Sequence, residues 1–163
     1  MTSSTCTELE FGSVTTSPVP ASDQSKADVS ALLKAALIQA SEGLYKRGPL
    51  YPFMITISSD GYQDTAPLAR DGETLTVGAD ILSANLAPLR SARSGYRAIA
   101  IVLDVPATGS AAESISVRCE HSEGLTIEAD APYTRRAFPK KVRVGALTIH
   151  PGKKLIWPEV EPM

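Results

Sequence analysis

Histidine and cysteine are scarce in this 163-residue chain, which has two of each, and most metal and thiol chemistry is excluded on that ground. Cys6 lies in a Ser- and Thr-rich stretch and Cys119 in an alternating apolar segment, so no disulfide framework joins them and a reducing, cytoplasmic setting is expected. A transition-metal site would have to complete its ligands around His121 and His150 with carboxylates, and no helical segment presents His and Glu at ligand spacing; neither metal nor cofactor is expected. The step His121-Ser122-Glu123 lacks the downstream cysteine pair that a zinc deaminase requires. There is no nucleophile elbow, phosphate loop, dinucleotide fingerprint or internal repeat. Long apolar runs are missing as well, and the first residues have neither a basic start nor an apolar stretch, so no secretory signal and no membrane association are expected.

What remains is an ordinary globular composition, 43% hydrophobic and 21% charged, on a length that suits one domain. Residues 1–22, dominated by Ser, Thr, Pro and small side chains, read as a disordered or extended tail. Residues 23–150 read as a single α+β domain, and 151–163 as an irregular C-terminal tail that Leu155, Ile156 and Trp157 could anchor.

The centre of the domain is Tyr96–Asp104, whose run Ala98-Ile99-Ala100-Ile101-Val102-Leu103 has no polar interruption and predicts a strand covered on both faces. Before it, Val29, Leu32, Leu33, Ala36, Leu37, Ala40 and Leu44 make one apolar stripe on a helix from about Lys26 to Tyr45, capped around Ser25 and Asp28. Phe53–Ser58 alternates as a strand and ends in the Asp60-Gly61 turn; Thr74–Val77 is a shorter strand candidate. Residues 81–93 have helical spacing broken by Pro88. Ile115, Val117 and Cys119, then Leu125, Ile127 and Ala129, alternate with polar residues as a hairpin. A loop Ser122-Glu123-Gly124 sets Cys119 against Ile127, Val117 against Ala129 and Arg118 against Glu128, keeping the faces unmixed. Val142 and Val144 have a parity that Leu147 and Ile149 do not continue, so the last strand should bend at Gly145.

The turn and strand-end residues Pro52-Phe53, Asp60-Gly61, Asp104, Glu120-His121 with Gly124, and Pro132-Tyr133 together resemble a pattern found in small bacterial α+β proteins of unassigned function, over about the middle two-thirds of the chain. The resemblance implies one domain in a bacterial intracellular setting and carries no activity. The expected fold is a mainly antiparallel sheet of about five to six strands with two helices on one face. The second sheet face is polar along the hairpin but apolar in its middle, and a homodimer would cover that middle.

Charge is polarised. Between Ala131 and Pro158 there are seven basic residues and no acid, which leaves 9 basic and 18 acidic residues elsewhere, +7 beside −9. With Tyr133, Phe138 and Trp157 interleaved, Tyr133, Arg135, Arg136, Lys140, Lys141 and Arg143 are the candidate anion- or partner-binding residues. The competing reading is that these cations pair with acids of the same molecule. The expected function is a non-catalytic binding or accessory protein facing an acidic protein or another anion. A nucleic-acid-binding module would use the same cations. An enzyme would rest on the strand-end carboxylates Asp60 and Asp104 with His121, in a hydrolase-like arrangement. Cys119 with His121 is the remaining nucleophile pairing, against which Cys119 reads as a small buried hydrophobe.

Overall fold

In the computed structural model, which describes residues 22–47, 50–68, 87–107, 109 and 112–157, the chain runs α1 (Asp23–Arg47), β1 (Phe53–Ser58), β2 (Gln63–Pro67), α2 (87–92) with a following 3-10 turn (Arg93–Gly95), β3 (Tyr96–Val105), β4 (Ser114–His121), β5 (Thr126–Arg136), β6 (Lys141–Val144) and β7 (Thr148–Pro151). The strands form one antiparallel sheet in the order β2-β1-β3-β4-β5-β6, and β7 pairs with the first half of β5. The α+β class is as the sequence predicts. The expected strand Thr74–Val77 and residues 1–21 lie outside the described residues.

Helix α1 begins one turn earlier than its apolar stripe suggests, because Ser22 is the cap: its Oγ accepts the Ser25 N–H at 3.0 Å. Ser25, expected at the cap, is instead buried and donates its hydroxyl to the Ser22 carbonyl at 2.9 Å. Val29, Leu32, Ala36 and Ala40 are fully buried against the β3 face made of Ala98, Ala100 and Val102, together with Val117, Ile127 and Ala129. Alanines on the sheet let the helix axis come close, and each large side chain buried there contributes about 1.5–3 kcal/mol.

The opposite face of β3 presents Ile99, Ile101 and Leu103, and its cover comes from the chain itself: Leu68, Leu89 and Ile156, with Leu155 and Trp157 beside them. This corrects two expectations. Helix α2, through Leu89, packs on the face away from α1, so the two helices do not share a face; a central strand apolar on both sides needs cover on each. The apolar middle that a homodimer was expected to bury is already buried.

The β4–β5 hairpin has the predicted register, with Cys119 opposite Ile127, Val117 opposite Ala129 and Arg118 opposite Glu128. Gly124 takes φ +114°, a conformation that L side chains rarely adopt, and its N–H closes the turn on the His121 carbonyl at 2.9 Å. Beyond β5, the expected single strand Val142–Ile149 is two short ones. Tyr133 pairs with Val144 and Asp130 with Thr148, so one extra residue sits on the β6–β7 side, which is the parity change seen at Gly145.

After Pro151 the chain crosses the sheet. Gly152 lies so close to β5 that a Cβ there would fall 3.0 Å from the Ile127 carbonyl carbon, and Gly152 N–H reaches the Thr126 carbonyl at 3.2 Å. Residues 152–157 then form an irregular strap over the second face, held by a carboxylate. Glu120, 5% exposed, accepts the N–H groups of Leu155 (2.8 Å), Ile156 (2.9 Å) and Trp157 (2.6 Å). Three consecutive donors converging on one carboxylate make an anion nest, here filled from within the chain. Replacing Glu120 by Ala should leave those donors unpaired under Ile156, cost about 2–4 kcal/mol in urea unfolding, and shift Trp157 fluorescence to the red. An unchanged emission maximum with full stability would show that the strap is held by apolar contact alone.

Candidate functional site

Three groups of polar side chains are organised by this sheet. The first lies where α1 meets the start of β3. The β1–β3 ladder pairs Ile57 with Ala98 and Ser58 with Tyr96, so Arg97 is the extra residue of a bulge. The bulge lets Tyr96 join Ile99 and Ile101 on one face while Arg97 turns to the helix side. There Arg97 Nε and Nη2 donate to Asp28 Oδ2 (2.8 Å) and Oδ1 (3.1 Å), and Gln24 Nε2 donates to Oδ1 at 2.9 Å. His121, fully buried, adds Nε2 to Asp28 Oδ2 at 2.8 Å. Its Nδ1 accepts the Glu123 N–H at 3.1 Å, so the ring hydrogen is on Nε2. Burial pushes the Asp28 carboxyl up, but the hydrogen bonds from Arg97, His121 and Gln24 outweigh it and hold the group below the ordinary carboxylate value. The Ser22 hydroxyl donates to Glu123, which clasps the helix start to the same hairpin tip.

The second group is at the far end of β3. Tyr133, 2% exposed, donates its hydroxyl to Asp104 Oδ1 at 2.8 Å, and Glu113 Oε2 is 3.5 Å from both that hydroxyl and Arg135 Nη2. Burial, then the nearby Glu113, raises the Asp104 carboxyl above its usual value; burial and the Asp104 carboxylate raise the Tyr133 phenol well above its own.

The enzyme candidates therefore do not meet. Asp60 is exposed in the β1–β2 turn and His121 pairs with Ala98, whereas Asp104 is six residues further along β3, roughly 20 Å at the rise of a strand. His121 also has both ring nitrogens occupied. Cys119 is 2% exposed and burial pushes its thiol up to about 12, which leaves no thiolate to attack with. Among the described residues no group of three or more His, Cys, Asp or Glu is placed to hold a metal ion, and no helix is long and apolar enough to cross a membrane.

The third group is the β5–β6 hairpin. Of the residues singled out in its sequence, Tyr133 lies beneath the surface, Arg135 faces Glu113, and the Lys140 ammonium sits 4.9 Å from the centre of the Tyr45 ring on α1. Arg136 is directly opposite Lys141, and Arg143 is two residues on, opposite Thr134. Alternation puts these three exposed cations on one face, and none has an acidic partner among the described residues. At the turn between the strands Phe138 is 92% exposed.

Sequence reasoning passed over Arg97, read Asp28 only as part of the helix cap, and named Glu120 only as a strand-end residue of the resemblance. Asp28 did leave a signal: it stands four residues before Leu32, on the buried stripe, where a carboxylate needs a partner. For Arg97 there was none, since its direction depends on a bulge.

The chain matches no family model, no curated protein and no solved structure.

Asp28 generates a pH signature. Its folded value is depressed, so its contribution is complete above the unfolded carboxylate pKa, about 3.9, and is lost as pH falls through the lower folded value. The Tm advantage of the wild type over Asp28→Asn should be level between about pH 5 and 8 and close below about pH 4. A gap that persisted undiminished to pH 2 would exclude the ionised carboxylate as its source.

Proposed function

We propose that the protein is a non-catalytic binding protein whose β5–β6 hairpin offers Arg136, Lys141 and Arg143, with Phe138 at the tip, to an acidic protein surface. The observation that carries this reading is the Arg136–Lys141 pair. Like charges directly across a ladder destabilise a sheet, and this pair has Arg143 on the same face and no acidic partner among the described residues. Such an arrangement is expected where the counter-charge arrives with a partner. An exposed aromatic beside Arg residues is the composition of an interface anchor, with the aromatic supplying area and the cations supplying orientation and encounter rate.

The reading narrows the basic segment. Arg135 and Lys140 are engaged by Glu113 and Tyr45 on the helix side, so the presented face is Arg136, Lys141 and Arg143. Opposite electrostatic signs on two parts of one chain also disfavour a large neutral contact and favour a polar, salt-sensitive one. A cytoplasmic setting is part of the proposal and is supported by the free, buried Cys119. An enzymatic role is not favoured, because Asp104 stands six residues along β3 from the level of His121 and both are internally bonded, while Asp60 is exposed in a turn.

Reversal of Arg136 and Lys141 to Glu tests the reading on two axes. Affinity for an acidic probe, polyglutamate, should fall at least about tenfold near 0.15 M salt, while Tm stays nearly level because Glu then faces Glu where Arg faced Lys; the single reversal Lys141→Glu, which makes an opposite-charge pair with Arg136, should raise Tm by up to about 4 °C. Phe138→Ala should weaken binding without changing Tm. Equal affinity of wild type and reversed variant would sink the proposal. Tighter binding of an oligonucleotide, with a steep loss of affinity as salt is raised, would transfer the same residues to nucleic-acid recognition.

A further inference from the structure

Glu120 fastens the strap 152–157 at one end and Gly152 seats it on β5 at the other, and between strap and sheet they leave a cavity of about 170 Å³. Its apolar wall is Ile99 and Ile101 from β3 with Leu155 and Ile156 from the strap; its polar lining is Arg118, Glu128, Glu120 and Lys153. We propose that this cavity is a binding site for a small uncharged carboxamide with a compact apolar body. The proposal is independent of the basic hairpin.

Size comes from the volume. An apolar cavity of about 150 Å³ admits a benzene ring, so the space takes one ring or a branched chain of similar bulk. The polar requirement comes from Arg118. Its Nε is buried and makes no hydrogen bond, although Glu128 Oε2 lies 3.2 Å away in ion-pair contact. Donor and acceptor stand side by side without satisfying each other. A primary amide offers the complement, a carbonyl oxygen for Arg118 Nε and an N–H for the Glu128 carboxylate. Charge selects the neutral ligand. Arg118 and Glu128 cancel, and Lys153 offsets Glu120, whose carboxylate is already bonded to three strap N–H groups, so the lining carries no net charge to compensate a ligand carboxylate for its lost hydration. A plain hydrocarbon would fill the volume and leave Arg118 Nε unbonded, at the cost of a buried orphan donor.

The test is a titration of the ¹⁵N-labelled full chain by NMR with benzamide, benzoate and toluene as probes. Benzamide should give saturable shifts at the amides of Ile99, Ile101 and Ile156, and bind at least about tenfold more tightly than benzoate or toluene. Ile101→Trp, which fills the space, should abolish the shifts. Glu128→Gln, an isosteric change at a third-exposed side chain, should weaken benzamide and strengthen benzoate. Benzoate equal to or tighter than benzamide would make the site an anion site and overturn the proposal; toluene equal to benzamide would reduce it to an apolar void. So would an unchanged benzamide-to-benzoate ratio in Glu128→Gln, or the absence of saturable shifts at those amides with all three probes.

Discussion

A single carboxylate, Asp28, holds helix to sheet. It is 5% exposed, and it gathers an arginine from β3, a histidine from β4 and a glutamine from its own helix. Three donors converging on one acid fix the rotation and height of α1, so the apolar stripe has one place to land on the sheet. The β-bulge at Arg97 belongs to the same device: without the extra residue that guanidinium would point to the opposite face. Buried charge of this kind specifies more than it stabilises, because the desolvation of Asp28 opposes the hydrogen bonds it receives.

Glu120 does for the second face what Asp28 does for the first. It lies on β4 directly opposite Ile99 of the central strand, and its carboxylate captures three successive backbone N–H groups of a strap that has no regular structure of its own. A segment without ladder bonds must satisfy its amides elsewhere, and Glu120 is where they go. The strap in turn buries Ile156 over Ile99 and Ile101 and roofs the cavity beside Arg118. Both faces of the central strand are thus closed by elements that a buried acid locks in place.

With the two buried acids committed to architecture, surface chemistry is left to the edge of the sheet. There the β5–β6 hairpin accumulates cations on one face and exposes an aromatic at its turn. The acids nearest the basic segment are engaged by other groups and not by these three cations. Glu113 reaches Arg135 on the helix side, while Glu128 and Asp130 on the other side pair with Arg118 and His150.

The local patterns were legible from the chain alone. Alternation gave β1 and both arms of the β4–β5 hairpin, and an uninterrupted apolar run gave β3; the requirement that the hairpin's faces stay unmixed gave its register; the parity change at Gly145 gave a bend where the structure has two strands. These follow from periods of two and of three to four residues, which depend only on neighbours in sequence. What the tertiary structure decided is which side each element takes and what each polar group meets. Leu89 on the face away from α1, Tyr133 under the surface rather than on it, and Asp104 some six residues from the level of His121 all depend on strand pairing and on one-residue bulges. An inserted residue changes the direction of every side chain after it, and Arg97 carries no mark of that in its own identity. The sequence by itself determined a central strand needing cover on both faces; only the folded chain decided that a helix pinned by Asp28 and a strap pinned by Glu120 supply it, because a buried carboxylate takes whichever donors the fold brings within reach.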